Sequence, residues 1–277
     1  MEIDSLRECQ HGEIRAGFKN VKKEIIKMNS FIAWIGGKKL LRKAIIERFP
    51  KEGYTRYIEV FGGAGWVLFG KERGKELEVF NDVDSNLINL YRCIKYHREE
   101  LQKEMEWLLI SREQFFDSKR QLETGGLTDI QRAARYFHII KISFGADRRT
   151  FGTNKKNLAN AIEYLREVQE RLNNVVIENK DFESLIKVYD RPGALFYVDP
   201  PYHGTEKYYD ATFSKEDHIR LKTVLEGIKG NFILSYNDDE FIRNLYKNFH
   251  IEGISRNSNL TCKGEAKRYD ELIIKNY

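Results

Sequence analysis

The sequence has few of the residues that build disulfides and metal centres. Its three cysteines, Cys9, Cys93 and Cys262, are far apart and show no paired spacing. The six histidines form no HExxH pair or similar ligand set. This composition indicates neither a disulfide framework nor a zinc site. We therefore expect a metal-independent protein in a reducing compartment, the cytoplasm.

Long apolar runs are also missing. No stretch approaches the length of a membrane span. Residues 1–28 carry many charges and lack the apolar core of a signal peptide. We expect this stretch to be a mobile or loosely helical extension of a soluble monomer.

Net charge is small, but positive charge is concentrated in one segment. The chain has 47 Lys and Arg residues against 42 Asp and Glu residues, a net charge of +5. Between residues 130 and 160, seven basic residues stand against one acid, Asp147. This segment includes FGADRRTFGTNKKN, which suits a loop that contacts phosphates and enters a groove. A solvated basic surface would have the same composition. The basic residues are Arg132, Arg135, Lys141, Arg148, Arg149, Lys155 and Lys156.

Proline is scarce, and half of the four prolines stand side by side. Pro200 and Pro201 follow the apolar run Leu195–Val198, which predicts a buried strand. Proline donates no ladder hydrogen bond and has a fixed φ, so the pair ends the strand in a stiff corner. Asp199 and Tyr202 are then held at the carboxyl edge of the sheet, where open α/β sheets bind ligands.

Apolar runs alternate with amphipathic stretches along the chain, which predicts a doubly wound, mostly parallel α/β sheet. Capping boxes at Thr128–Gln131 and Ser214–Asp217 mark two helix starts. The last two of seven expected strands form an antiparallel pair at one edge. The expected strands are Tyr57–Phe61, Leu77–Phe80, Val175–Glu178, Leu195–Val198, Asn231–Ser235, Phe249–Ile254 and Glu271–Lys275.

One interval is far longer than an ordinary βα connection. Roughly ninety residues separate the second strand from the third. We interpret residues 91–169 as a helical subdomain inserted into a sheet domain made of residues 29–90 and 170–277.

A glycine-rich turn follows the first strand. Phe61–Gly65 (FGGAG) leads into a helix, and Asp82 ends the next strand about twenty residues later, as in nucleotide ribose sites. Leu68 replaces the third glycine of a dinucleotide fingerprint, which disfavours a pyrophosphate. S-adenosylmethionine, which has an adenosine and no phosphate, suits this turn better. A purely structural turn beside a solvated acid is the alternative.

A second glycine pair lies in SFIAWIGGKKLL, residues 30–41. It lacks the first glycine and the Ser or Thr of a phosphate loop. Gly36 and Gly37, beside Trp34 and Lys38, suit contact with a carboxylate or an adenine. The alternative is a helix start with solvated lysines.

Asp199, Pro200, Pro201 and Tyr202 have a clear chemical use together. An amine on a nucleobase is a poor nucleophile because its lone pair is shared with the ring. A carboxylate and a fixed backbone carbonyl that each accept one N–H bond favour a pyramidal nitrogen aimed at an electrophile. Tyr202 offers a face on which the base stacks.

From about Asn29 to Tyr277 the chain resembles the DNA adenine methyltransferases of the Dam kind. Asp199–Tyr202 match the family's D-P-P-Y catalytic motif. The motif E-x-F-x-G-x-G, matched by Glu59–Gly65, implies contacts to the methionine end of S-adenosylmethionine. The resemblance further assigns Asp82 to the ribose hydroxyls and Asp181–Phe182 to the adenine of the cofactor. The implied cofactor residues are Trp34, Lys38, Glu59, Phe61, Gly62, Gly63, Ala64, Gly65, Asp82, Asp181, Phe182 and Asp199.

The insertion departs from the family's recognition pattern. Relatives that recognise GATC are rich in asparagine and glycine where this chain has KISFGADRRTFGTNKKN at residues 141–157, so the target sequence stays open. Double-stranded DNA is the expected partner, beside a possible cognate restriction endonuclease. The expected DNA-binding residues are Lys141, Arg148, Arg149, Lys155, Lys263 and Arg268.

The resemblance implies a one-step methyl transfer to the 6-amino group of adenine after base flipping. No cysteine stands beside the proline pair, so a covalent route through a cytosine ring lacks its nucleophile. Three alternatives remain: a methyltransferase acting on the cytosine 4-amino group, a nicotinamide dehydrogenase, and a non-catalytic DNA-binding protein.

Overall fold

The computed structural model describes residues 28–51, 53–153, 157–204, 213–257 and 268–277. Within them every predicted strand is found, with ends that differ from the predicted ones by at most three residues. The strands are β1 (Arg56–Glu59), β2 (Leu77–Asn81), β3 (Val175–Glu178), β4 (Ala194–Val198), β5 (Asn231–Asn237), β6 (His250–Asn257) and β7 (Arg268–Lys275).

Helices fill the connections between the strands. A 3-10 turn at Phe144–Ala146 follows the longest of them in the described part of the chain. In these ranges no helix is long and apolar enough to cross a membrane. The helices are α1 (Arg42–Ile46), α2 (Trp66–Gly70), α3 (Ser85–Tyr96), α4 (Arg98–Glu106), α5 (Arg112–Thr124), α6 (Asp129–Ile142), α7 (Leu158–Glu163), α8 (Leu165–Leu172), α9 (Phe182–Tyr189), α10 (Lys215–Glu226) and α11 (Glu240–Leu245).

The sheet has the strand order β3-β2-β1-β4-β5-β7-β6. The five strands from β3 to β5 are parallel, and β7 pairs antiparallel with both β5 and β6. This confirms the predicted doubly wound, mostly parallel sheet with an antiparallel edge. The order changes direction between β1 and β4, the position at which such sheets bind ligands.

The two faces of the sheet bury alternate residues of each strand. On one face Tyr57, Phe80 and Tyr197 join a core that includes residues of α2, α3, α6 and α8. On the other face Ile58 and Phe196 join a core with residues of α9, α10 and α11. Helices on both faces explain why the central strands are apolar throughout.

The predicted helix starts carry the expected caps. Thr128 and Ser214 each accept a hydrogen bond from the backbone amide three residues later, and each closes a reciprocal capping box. Asp84 caps α3 by accepting from the amides of Asn86 and Leu87. These local bonds place the first turn of each helix without tertiary information.

The helices between β2 and β3 share the main core with the sheet. Ala134 and Phe137 of α6 lie in the same buried cluster as Leu87 of α3. A smaller cluster around Phe115 and Ile139 lies apart from it. The predicted boundaries of an inserted subdomain at residues 91 and 169 stay a prediction, and the predicted N-terminal extension lies outside the described residues apart from Met28.

A buried ionic cluster ties α8 to the sheet. The guanidinium of Arg171 donates to both carboxylate oxygens of Glu78 over 2.6 and 2.7 Å, and Lys71 Nζ lies 2.6 Å from Glu78 Oε1. All three residues are buried. Burial opposes ionisation of Glu78, but the bonds and charges of Arg171 and Lys71 hold its pKa below the usual value.

We expect Arg171→Met to lower the free energy of unfolding by about 3 kcal/mol, because it leaves Glu78 undercompensated in the core. The double variant Glu78→Leu with Arg171→Met should lose less free energy of unfolding than Arg171→Met alone, because it leaves no unpaired carboxylate at position 78. The loss should be full above the normal carboxylate pKa and should shrink as pH falls through the lowered pKa of Glu78. Urea unfolding measures it, with exposed Arg166→Met on the same helix as the control. Equal losses for the two arginine variants would contradict the assignment.

Candidate active site

A cavity opens at the carboxyl edge of the sheet, at the change of strand direction. The glycine turn after β1, the strand-end acid after β2 and Asp199 after β4 all face it. Every predicted cofactor residue except Gly65 lines this cavity, and so does Pro201. The structure thus brings together residues from five separated segments. They are Trp34–Lys38, Glu59–Val67, Asn81–Asp84, Lys180–Phe182 and Tyr197–Pro201, with Arg148, Phe213, Asp217 and Arg220 added from elsewhere.

The turn after β1 requires glycine for two different reasons. A Cβ on Gly62 would lie 2.3 Å from the ring of Phe80 and 2.8 Å from the carbonyl oxygen of Asn81. Gly63 has a φ of +49°, and a Cβ there would lie 3.0 Å from the indole of Trp34. The turn therefore lets the backbone approach β2 and Trp34 closely.

Asp82 holds the glycine turn against the end of β2. Its carboxylate accepts from the amide of Gly63 over 2.8 Å and from the amide of Asp84 over 2.9 Å. Burial nevertheless raises the pKa of Asp82 to about 6. Asn81 beside it bonds to Val60 and Lys180, which fixes the neighbouring strand ends. A desolvated carboxylate is thus held at the cavity wall.

Glu59 is a second buried acid in the wall. Its side chain is 1% exposed, and the hydroxyl of Tyr57 donates to Glu59 Oε2 over 2.7 Å. Burial raises the pKa of Glu59 to about 8, and the negative charge of Asp199 adds to the effect. The described residues therefore leave this carboxyl protonated at neutral pH, which suits a site for a positively charged ligand.

An aromatic and ionic cluster forms another part of the cavity wall. The rings of Phe61, Phe182 and Phe213 lie within 5.8 Å of one another, measured between centroids. Arg220 stacks on Phe182 at 4.1 Å and donates to both oxygens of Asp181 over 2.9 and 3.0 Å. Burial opposes ionisation, but these bonds hold the pKa of Asp181 below its usual value.

Asp199 is held by two donors that its motif does not contain. Lys38 Nζ lies 2.8 Å from Asp199 Oδ1, and the hydroxyl of Ser235 on β5 donates to the same oxygen over 2.8 Å. Burial raises the pKa of Asp199, although Lys38 and Ser235 both act in the opposite direction. The strand register sets Ser235 one position beyond the Val198–Leu234 pair, so adjacent strand ends bring serine and aspartate together.

Tyr202 is fixed through its hydroxyl. It donates to Glu271 Oε2 on β7 over 2.8 Å, and its ring lies 5.9 Å from that of Tyr236. Glu271 is 3% exposed. The ring orientation therefore depends on a buried acid contributed by the antiparallel edge of the sheet.

The predicted DNA-binding residues have different surroundings. Arg148 lies in the cavity wall: its guanidinium stacks 4.5 Å from the Trp34 ring and bonds to Tyr136 and Asp84. Lys141 donates to the carbonyl oxygen of Phe31 over 3.1 Å. Arg149 is exposed on the loop after α6. Lys155 and Lys263 lie outside the described residues, as does the side chain of Arg268.

The loop that carries Arg148 is a tight turn. A bridge pairs Ser143 with Phe151, and the amide of Phe144 donates to the carbonyl of Thr150. Ala146 and Arg148 both have positive φ values, 62° and 57°. Left-handed residues other than glycine are strained and concentrate at functional sites. Here the conformation directs Arg148 to Trp34.

Three side chains at the site were not predicted from the sequence: Ser235, Glu271 and Arg220. Lys38 was predicted as a cofactor residue, but its contact with Asp199 was not predicted. The sequence offered a signal for Ser235 alone, because it ends a predicted strand next to that of Asp199. In the described ranges no group of three or more histidine, cysteine or acidic side chains is arranged to hold a metal.

Comparison with known proteins identifies the family. Residues 34–260 match the model of the D12 class N6 adenine-specific DNA methyltransferases, which is most of the chain. The chain belongs to this family. This D12-class methyltransferase is 29% identical to the type II methyltransferase M1.LlaDCHI of Lactococcus lactis over 93% of its own length and 98% of that protein.

Two further relatives cover nearly the whole chain. The type II methyltransferase M.MjaIII of Methanocaldococcus jannaschii is 28% identical over 91% of this chain and all of that protein. The DNA adenine methylase of Escherichia coli K12 is 22% identical over 89% of this chain and 95% of that protein. The D12-class methyltransferase is thus an adenine-specific DNA methyltransferase that uses a methyl donor.

We expect Glu59→Gln to stabilise the free methyltransferase relative to wild type, and increasingly so from pH 5 to pH 8. The unfolded chain loses the Glu59 proton near the normal value of 4.5, whereas the folded protein keeps it to about 8. Glu59 therefore makes the free energy of unfolding of the wild type fall from pH 5 to pH 8, and glutamine, which does not ionise, removes this contribution. Urea unfolding at both pH values should show a difference that grows by about 2–4 kcal/mol. Parallel pH dependence in the two proteins would contradict the buried acid.

Proposed function

We propose that the protein transfers the methyl group of S-adenosylmethionine to the 6-amino group of adenine in duplex DNA, after flipping the base out of the helix. The observation that carries the proposal is that Gly63 and Asp199 line one cavity, with Asp199 desolvated at a rigid proline corner. The cofactor region and the acceptor for the amine therefore lie side by side.

The cavity fits a positively charged cofactor. Acids predominate in its wall, and two of them, Glu59 and Asp82, have pKa values raised by burial. A sulfonium or ammonium group stabilises the ionised form of a desolvated carboxyl. Glu59 would therefore hold the methionine amine, and Asp82 would hold the ribose hydroxyls. Phe182 would contact the adenine ring of the cofactor, and Asp181 would accept a hydrogen bond from its amine. The glycine turn provides the close backbone approach.

The acceptor end of the cavity fits an extrahelical base. S-adenosylmethionine, when bound, would supply an electrophilic methyl carbon. In a single step the adenine amine would attack that carbon, the thioether S-adenosylhomocysteine would leave with the electron pair of the broken C–S bond, and the amine would lose one proton. Asp199 and a backbone carbonyl of the Pro200–Pro201 corner accept the two N–H bonds of that amine. Tyr202, oriented by Glu271, supplies the stacking face. Because these acceptors are fixed before the base arrives, they need no reorganisation during the reaction.

The described cysteine does not support a covalent intermediate. Cys93 is buried on α3, and burial raises the pKa of its thiol to about 11. A thiol of this kind is a poor nucleophile at neutral pH. Direct displacement remains the route that the described side chains support.

DNA contacts are proposed at the basic loop after α6. Arg149 is exposed there and would contact phosphates, whereas Arg148 supports the wall at Trp34 from the same loop. Base flipping follows from the depth of Asp199, because an adenine amine inside a duplex cannot reach a buried carboxylate. The names of the two type II relatives support a further proposal, protection of DNA from a cognate restriction endonuclease.

We expect Asp199→Asn to lower kcat by about 10²- to 10³-fold, because the amide has no negative charge and replaces one of the two acceptor oxygens of the carboxylate with an N–H donor. Transfer of tritiated methyl groups to DNA that lacks adenine methylation measures the rate. Mass spectrometry of the nucleosides identifies the product as N6-methyladenine. Asp117→Asn, a surface change on α5, is the control.

An unchanged rate in the Asp199 variant would remove the catalytic assignment. Methylcytosine without methyladenine would show instead that the chain acts on the cytosine 4-amino group. Stabilisation by NAD but not by S-adenosylmethionine would favour a dehydrogenase.

We expect Tyr202→Ala to raise the KM for DNA by about 5- to 150-fold, which corresponds to a stacking contribution of about 1–3 kcal/mol. Tyr202→Phe keeps the ring and removes the hydroxyl that donates to Glu271, so its KM should stay much closer to that of wild type. Steady-state kinetics on the same DNA compare the two variants. Equal KM values for phenylalanine and alanine would rule out stacking on this ring.

A further inference from the structure

The ammonium of Lys38 lies at the centre of the proposed adenine site. Lys38 Nζ is 2.8 Å from Asp199 Oδ1 and 4.6 Å from the centroid of the Tyr202 ring. It also donates to the carbonyl oxygen of Gly36 over 2.7 Å. The residue is only 6% exposed. A buried cation is therefore held between the catalytic acid and the stacking face.

Both contacts are ones that the flipped base requires. The adenine amine needs the carboxylate of Asp199 as acceptor, and the purine needs the face of Tyr202 that the ammonium covers. A purine ring and an ammonium group at van der Waals distance cannot share that face. The position of Lys38 is thus incompatible with the base position, provided that the proposed function holds.

We propose that Lys38 blocks the adenine site of the free enzyme by occupying the position of the base amine, and that the base binds by displacing it. The proposal makes Lys38 a positioning residue that acts through Asp199. In the free enzyme Lys38 stabilises the ionised carboxylate of Asp199. In the complex the amine of the base replaces the ammonium as the hydrogen-bond donor to that carboxylate.

The lysine is suited to such a displacement. Its charge sits on a flexible four-carbon stem, so the ammonium can move without a change in the backbone. Gly36 gives it a second acceptor that does not belong to the adenine site. The Trp34–Lys38 segment also lines the cofactor cavity, so a ligand bound there contacts the segment that carries the blocking residue.

The charges around Asp199 make the proposal measurable. Glu59 on β1 and Glu271 on β7 are acids near it, and the hydroxyls of Tyr197 and Tyr202 also face it. In the described part of the chain, Lys38 is the cation within ion-pair distance of Asp199. Without Lys38, Asp199 is left near the acids Glu59 and Glu271, and its carboxyl ionises at a higher pH.

The test is the pH dependence of methyl transfer by wild type, Lys38→Ala, Lys38→Arg and the control Lys39→Ala. The pH profile of kcat/KM reports the free enzyme, and that of kcat reports the complex with substrate. For Lys38→Ala we expect the acid limb of kcat/KM to move to higher pH by about 1–3 units. The acid limb of kcat should stay in place, because the lysine has already left Asp199 in the complex.

The other variants complete the design. Lys38→Arg keeps a cation at Asp199 and should return the kcat/KM limb toward that of wild type. Lys39→Ala removes an equal charge from the adjacent exposed position and should leave both limbs unchanged. On the plateau above the limb, the KM for DNA should fall several-fold in Lys38→Ala, because no ammonium competes with the base. If the alanine variant does not fold, Lys38→Gln replaces it.

Each remaining outcome overturns the proposal. Equal shifts of the kcat and kcat/KM limbs would show that Lys38 stays on Asp199 throughout turnover. Unchanged limbs in Lys38→Ala would show that the ion pair has no part in base binding. A wild-type protein that methylates no adenine would instead overturn the proposed function, a result that the wild-type assay reveals before any variant is made.

Discussion

The structure depends on the confinement of one carboxylate at the end of β4. Pro200 and Pro201 end the strand because they cannot continue the ladder, and Asp199 is left at the carboxyl edge. Lys38 and Ser235 then bind one of its oxygens from two other segments. The cost of burying this charge is met by contacts that come from the first glycine segment and from the neighbouring strand.

The same edge holds two further acids whose pKa values are raised by burial. Glu59 and Asp82 lie in the cavity wall with pKa values raised to about 8 and about 6. Neither has a cationic partner among the hydrogen bonds that hold it: Tyr57 binds the first, and backbone amides bind the second. By contrast, Glu78 in the core has Arg171 and Lys71. A buried carboxylate with cationic partners stabilises the fold. A buried carboxyl without such partners can bind a cationic ligand.

The fold could be predicted from the sequence because its signals are local. Apolar runs, strand-ending residues and capping boxes each act within a few positions, and Thr128, Ser214 and the proline pair mark element ends in the places where the structure has them. The cavity residues were predictable to the extent that they lie at strand ends, because parallel strands share one edge. Glu271 and Arg220, which were not predicted, reach the site from distant positions in the chain, and Lys38, which was predicted, contacts Asp199 from a distant position as well. Their partners depend on packing across the whole sheet, which no local pattern records.

The position of Arg148 shows how the basic loop and the cavity are joined. A solvated or DNA-facing arginine was the prediction from composition, yet this one stacks on Trp34 and bonds to Tyr136, while Tyr136 bonds to the helix cap Asp84. The positive φ of Arg148 is energetically unfavourable, so the contact with Trp34 must stabilise the loop by at least as much. Because α6 packs in the same core as α3, the loop cannot move on DNA without moving Trp34 or breaking these bonds. Arg148 therefore connects the loop that carries Arg149, the proposed DNA contact, with the cavity wall at Trp34.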